Sequence, residues 1–126
     1  MRFFGPYILA LKALMEGDPI KREEYRTEGQ GLIDQGGVGH SPIGYHRLGI
    51  EDTLTRGEWE RTRAHAAALE SYTSNEPLPY TDLLIERGRV LAALGANPQD
   101  AAARSELERL KADALRLKWP IGWHGH

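Results

Sequence analysis

Apolar residues recur along this chain with the spacing of an α-helix, in stretches separated by short polar turns. Within each stretch they lie three and four positions apart, which places them on one face of a helix. Polar turns at residues 16–19, 56–59 and 95–98 each lead directly into a further stretch. Their glycines, Gly17, Gly57 and Gly95, are separated by 40 and 38 residues. A period of this size is typical of stacked helix hairpins, each of which buries its apolar face against a neighbour.

Capping signals divide the chain into six predicted helices, within residues 6–16, 18–35, 41–54, 58–73, 81–95 and 97–117. Asp18, Ser41 and Asn97 each precede a proline, the favoured combination at a helix start, and Thr81 or Asp82 is predicted to cap the fifth helix. Gly88 interrupts that fifth helix and predicts close packing against a neighbour. No stretch alternates as a strand would. We therefore predict an all-α fold of three stacked antiparallel helix hairpins over residues 1–118, followed by an aromatic tail, residues 119–126.

Composition narrows the class of protein. The 126 residues are 40% hydrophobic and 27% charged, which suits one globular domain, and the net charge of −2 argues against nucleic acid as a partner. There is no cysteine, which excludes disulfides and thiolate metal sites. The apolar run 7–11 is interrupted by Lys12, so it predicts neither a membrane span nor a signal peptide. We expect a cytoplasmic protein that has no membrane contact.

The segment Gly57-Glu58-Trp59-Glu60-Arg61-Thr62 resembles the turn and second-helix start of a tetratricopeptide (TPR) repeat. In that motif a glycine closes the hairpin, an aromatic residue packs between helices and a small residue lets the backbones approach. Trp59 and Thr62 occupy the last two roles. The resemblance implies a TPR-like α–α superhelix.

A longer stretch resembles the C-terminal helical-repeat region of bacterial adenylate/guanylate cyclase-type regulatory proteins. The residues that carry it are Gly39-His40, Tyr45-His46-Arg47, Gly57-Glu58-Trp59, 66–73 and 76–80. The chain lacks the metal-binding aspartates of the cyclase in their sequence context, and the phosphate loop of the accompanying ATPase domain. The resemblance therefore implies a sensory or docking module of a signalling protein without either activity.

Two groups of residues invite a ligand-binding interpretation. The glycine-rich segment 36–39 lacks a preceding strand and the Gly-Lys-Ser/Thr ending of a phosphate loop, so a hinge between hairpins is favoured. His40 and His46 precede Glu51 and Asp52, but the spacings do not give a set of metal ligands on one helix face. We favour His46 as a packing or hydrogen-bonding residue between hairpins. A small-ligand or metal-binding enzyme at these histidines remains a minor alternative.

Charged residues allow two further interpretations. Carboxylates such as Glu24 and Glu28 pair at helical spacing, yet no apolar pocket is evident to raise a pKa, so a solvated surface is favoured. The remaining members of this group are Glu23, Asp34, Glu58 and Glu60. Four arginines, Arg22, Arg26, Arg47 and Arg61, could line a groove that receives an acidic peptide. We predict no catalytic residue, no cofactor and no metal.

The favoured function is a non-catalytic module that binds a protein or peptide partner. The predicted contact surface lies between the first helices of the hairpins and comprises Tyr45, His46, Arg47, Tyr80 and Arg87. The alternative is a structural repeat piece that self-associates into a homo-oligomer without a separate partner.

The tail carries Trp119, Ile121 and Trp123, which should not remain in water. Either they fold back and cap the last hairpin, which is favoured, or they form a self-association patch. His124 and His126 at the end of the tail lack a third ligand for a metal.

Overall fold

A computed structural model of the chain describes residues 5–36, 42–74 and 78–126. Within these ranges the chain forms six α-helices and no strand, so the predicted all-α fold is confirmed. The helices are α1 (Pro6–Met15), α2 (Pro19–Gln35), α3 (Pro42–Thr55), α4 (Trp59–Thr73), α5 (Pro79–Ala96) and α6 (Ala101–Arg116).

The helices pack as consecutive pairs, α1 with α2, α3 with α4, and α5 with α6. The first helices of the pairs also contact one another, since α3 packs against both α1 and α5, and α4 packs against α5 as well. This row of first helices places α3 at the centre of the molecule, where it can contribute to a site shared with its two neighbours.

The main hydrophobic core joins α3 to α6. Ile50, Leu69, Leu91 and Leu107 are each at most 1% exposed, and the tail residues pack against the same cluster. Burying a large aliphatic side chain stabilises a fold by roughly 1.5–3 kcal/mol relative to leaving it exposed. This core holds the second and third hairpins together and fixes the surface on which the tail lies.

Two of the predicted glycine roles are found in the structure. Gly57 has a φ of +72°, and the turn is closed by hydrogen bonds from Gly57 N to Leu54 O and from Glu58 N to Thr53 O. A Cβ on Gly88 would lie 3.2 Å from Ile50 Cγ2, so the absence of a side chain there does permit close helix packing.

Gly95 has a different role from the predicted one. It lies inside α5 rather than in a turn, and the indole of Trp59 packs so closely that a Cβ on Gly95 would overlap it. The glycine at this position therefore makes room for the Trp59 ring. The chain does not reverse at Gly95, and α5 continues to Ala96.

Three predicted helix boundaries are also corrected. Helix α1 ends at Met15 instead of residue 16, and α5 begins at Pro79 with Leu78 as its N-cap, ahead of Thr81 and Asp82. Helix α6 begins at Ala101, where Asp100 accepts a hydrogen bond from Ala103 N, rather than at Asn97. Asn97 instead accepts from Gln99 N, a local turn that competes with helix initiation.

Arginines connect the first two hairpins. Arg56 follows α3 and donates to the carbonyl oxygens of Ala13, Leu14 and Glu16 at the C-terminal end of α1. Arg26 of α2 donates to Asp52 of α3 at 2.9 Å, and that aspartate is only 3% exposed. These contacts hold the first hairpin against α3.

Two predictions cannot be compared with the fold. The glycine-rich segment 36–39 is described only at Gly36, which ends α2 with a φ of +71°, and His40 lies outside the described residues. Among the described helices, none combines the length and apolarity needed to cross a membrane.

Candidate functional site

A cavity of about 280 Å³ lies where α1, α3, α5 and the tail meet. Tyr7 contributes from the first turn of α1, Arg47 and Glu51 from α3, and Tyr80 and Arg87 from α5. The tail forms the remaining wall through residues 120–122, of which Ile121 is apolar. The cavity therefore depends on the three first helices and on the return of the tail.

Arg87 is completely engaged at the base of this cavity. It is 2% exposed and donates to both carboxylate oxygens of Glu51, at 2.7 and 2.8 Å, and to Gly122 O at 2.7 Å. His124 Nε2 lies 3.1 Å from Glu51 Oε1. Burial tends to raise the pKa of Glu51, but Arg87 and His124 outweigh it and the pKa is lowered. Glu51 is thus held ionised and serves as the partner of Arg87.

Arg47 is in the opposite situation. Its guanidinium lies over the ring of Tyr80, 5.1 Å from the centroid, and it has no hydrogen-bond acceptor or ion-pair partner among the described residues. The Nε atom is buried and unsatisfied. Each of the other described arginines donates to at least one acceptor. Arg47 is therefore the cation that this site leaves available.

The tail returns to the cavity because α6 ends in a sharp reversal. Lys118 adopts a left-handed conformation with a φ of +59°, and the nitrogens of Lys118 and Trp119 donate to Leu115 O and Ala114 O. This pair of hydrogen bonds is the Schellman arrangement, which is usually completed by glycine. Trp119 then meets Tyr80 edge to face, with ring centroids 5.1 Å apart.

The three apolar tail residues predicted for capping or self-association behave alike. Trp119, Ile121 and Trp123 are half-buried and pack against the core formed by α3 to α6. The favoured expectation was that they fold back and cap the last hairpin; they do fold back, but onto a core to which α3 and α4 contribute as well as the last hairpin.

A second polar cluster joins α3 to α4. His46 Nδ1 and His65 Nδ1 are 2.9 Å apart, so one ring donates and the other accepts, while Tyr72 stacks on His46. Burial lowers the pKa of His46, and burial together with the neighbouring His46 lowers the pKa of His65 to about 4. His46 is a hydrogen-bonding residue as predicted, but within the second hairpin and not between hairpins.

The five residues that were predicted to contact a partner differ in how far they are exposed. Tyr45, His46 and Arg87 are at most 4% exposed, and each is engaged inside the protein. Arg47 and Tyr80 are half-buried and line the cavity. Sequence reasoning missed Tyr7 and the tail backbone at Gly122, for which the sequence carries no signal, and considered Glu51 only as a metal ligand.

Three of the four arginines that were predicted to line a groove for an acidic peptide are also engaged by acceptors of the protein itself. Arg22 donates to Glu16 O at the end of α1, whereas Arg26 and Arg61 are paired with Glu23 and Glu58. Of the four arginines only Arg47 makes no hydrogen bond or ion pair with a described residue. The carboxylates Glu23 and Glu58 are ion-pair partners of these arginines, and the pKa of Glu23 is lowered, chiefly by Arg61.

Among the described residues, no group of three or more histidine or carboxylate side chains is placed to hold a metal ion. Comparisons of the chain with models of protein families, with characterised proteins and with solved structures found no match.

Proposed function

We propose that this chain is a non-catalytic helical-repeat module that binds a protein partner at the Arg47 cavity. The observation that supports this proposal is the contrast between Arg47 and every other described arginine. Each of the others is committed to an acceptor inside the protein, while Arg47 sits at a concave site without one. Buried donors without partners are rare in folded proteins and call for an explanation such as a ligand.

The chemistry of the cavity favours binding over catalysis. Its carboxylate, Glu51, is ionised and engaged by Arg87 and His124, so it is not poised to exchange protons near neutral pH. The site instead offers a cation, an aromatic face and apolar walls. Such a combination is typical of the few anchoring residues that dominate a protein interface.

The proposal includes the signalling context that the resemblance to cyclase-type regulatory proteins implies. It also includes a cytoplasmic location, which is expected because the apolar run 7–11 predicts neither a membrane span nor a signal peptide. Self-association is the alternative. It is less favoured because Trp119, Ile121 and Trp123, the residues expected to mediate it, already pack on the protein's own core.

Affinity capture from a lysate of the source organism tests the proposal. Wild-type protein, Arg47→Glu and the control Arg63→Glu are compared; Arg63 is an exposed arginine of α4 whose ion-pair partner is Glu60. We expect mass spectrometry to identify a protein retained by wild type and by Arg63→Glu and lost from Arg47→Glu. Binding is then confirmed with the purified pair. Recovery of nothing but further copies of the chain would favour self-association instead.

A further inference from the structure

We propose that Arg47 binds the carboxylate of a glutamate or aspartate side chain in the partner, with an apolar residue of the same peptide segment packed against the cavity wall. This inference rests on the proposed function and adds the chemistry of the recognised segment. It follows from the donors, the net charge and the walls of the cavity.

The buried Nε–H of Arg47 has no acceptor among the described residues, although the guanidinium is held in place. Contact with the ring of Tyr80 supports the guanidinium through a cation–π interaction but supplies no hydrogen-bond acceptor. A guanidinium presents its N–H groups in one plane and matches the two oxygens of a carboxylate. Arg47 is thus positioned for bidentate binding, and no acceptor in the described part of the chain competes for its donors.

The charge of the cavity suits a single negative charge. Arg47 and Arg87 contribute two positive charges and Glu51 one negative charge, which leaves one positive charge in a chain whose net charge is −2. A carboxylate neutralises this charge. A phosphate carries nearly two negative charges at neutral pH, and the second would be repelled by Glu51.

The walls indicate what accompanies the carboxylate. Tyr7 is 49% exposed at the rim, while Leu48, Leu84 and Ile121 provide apolar surface inside. Apolar surface beside one oriented polar group is the usual construction of a binding pocket. We therefore infer a short acidic segment with a neighbouring large apolar residue.

The capped dipeptide Ac-Phe-Glu-NH₂ is a direct probe, and Ac-Phe-Gln-NH₂ is its neutral match. Each is titrated into ¹⁵N-labelled protein while the Nε–H signal of Arg47 is followed by NMR. We expect a saturable shift with the glutamate peptide and at least tenfold weaker binding of the glutamine peptide. Arg47→Gln should abolish the difference between the two peptides, Arg47→Lys should retain part of it, and Arg63→Gln should leave it unchanged. Because Arg47 makes no hydrogen bond to a residue that the structure describes, its variants are expected to fold.

Equal binding of the two peptides, no saturable shift with the glutamate peptide, or unchanged discrimination in Arg47→Gln would overturn the proposal. So would tighter binding of Ac-Phe-phosphoserine-NH₂, or binding of free 3-phenylpropionate without binding of the peptide. The outcome is separable from that of the proposed function. A partner that is captured by wild type and lost from Arg47→Glu, although the two peptides bind equally, would keep the proposed function and remove the carboxylate anchor. If Arg47 distinguishes the glutamate peptide from the glutamine peptide but no protein is captured, the carboxylate site would stand and the protein partner would not.

Discussion

Two arginines that line one cavity have opposite environments, and the difference determines what each contributes. Arg87 is buried and donates to Glu51 and to Gly122 O, whereas Arg47 rests on Tyr80 with its donors unused. Arg87 therefore stabilises the fold around the cavity. Arg47 retains the capacity to bind something else.

Replacing Arg87 by alanine should destabilise the protein strongly. The change leaves Glu51 without its partner in a site where only about one third of that side chain, 35%, is exposed to screening water. We expect a loss of about 2–4 kcal/mol in the free energy of unfolding, measured in urea. The matched control is Arg89→Ala on the same helix, which breaks an exposed pair with Glu70 and should cost far less, because water screens that pair. Similar losses for the two variants would contradict the role assigned to Arg87.

The pair His46–His65 predicts a dependence of stability on pH. Because the fold lowers the pKa of His65 to about 4, the unfolded chain binds a proton between about pH 6.5 and pH 4 that the native protein does not. Stability should therefore fall as the pH is lowered through this window, by at most about 1.4 kcal/mol per pH unit for one proton. The charge of Asp34 acts to raise the pKa of His46, and that of Asp52 acts to raise the pKa of His65. Arg26 and Arg61 lower the pKa of His65 further.

Urea unfolding of wild type and His65→Gln between pH 7 and pH 5 checks this expectation. Glutamine can still hydrogen-bond His46 but does not titrate, so the variant should have the flatter pH profile. Carboxylates with lowered pKa, such as Glu51, contribute to both profiles at lower pH and cancel in the difference. Parallel profiles across the window would show that His65 does not titrate as described.

Among the structural elements, the end of α6 has the greatest effect on the site, since it turns the tail toward the cavity. Lys118 occupies the left-handed position that glycine normally fills, a conformation that costs a non-glycine residue roughly 1–2 kcal/mol. The reversal is sustained by the two backbone hydrogen bonds to Ala114 and Leu115 and by the packing of Trp119 on Tyr80.

Lys118→Gly should consequently stabilise the protein by about 0.5–1 kcal/mol, because the conformation no longer strains a side chain. The same substitution two residues earlier, Arg116→Gly, lies within the helix and should lower stability by up to about 1 kcal/mol. Thermal unfolding of the two variants beside wild type provides the measurement. A destabilised Lys118→Gly would mean that α6 does not end in this reversal.

The helices themselves were predictable from the sequence, since apolar spacing and proline-containing starts are local signals. The residues that cap the helices were harder to predict. Asn97 has a suitable side chain, but that side chain accepts a hydrogen bond from Gln99 N, and it is Asp100 that caps the start of α6. The return of the tail was expected because Trp119, Ile121 and Trp123 are apolar. Its path was not predictable, because the residue that reverses the chain is a lysine and carries no turn signal.

At the scale of the whole molecule, the cavity arises from residues far apart in sequence. Glu51 lies 36 residues from Arg87 and 73 from His124, and Arg87 lies 35 residues from the Gly122 carbonyl that it binds. The period of the repeats predicted that first helices would be neighbours. It did not predict which arginine would lack a partner, because that depends on all the carboxylates the fold brings near, as with Arg26, Asp52 and Glu58.

Site-specific photocross-linking in the source organism tests most directly whether a partner occupies this cavity. Benzoylphenylalanine replaces Tyr7, which is 49% exposed at the rim, and as a control Leu115, which is 81% exposed on α6. We predict a cross-link from position 7 to a second protein, absent from position 115 and lost when Arg47→Glu is added. Cross-links to the same protein from both positions, or at position 7 regardless of Arg47, would contradict the account.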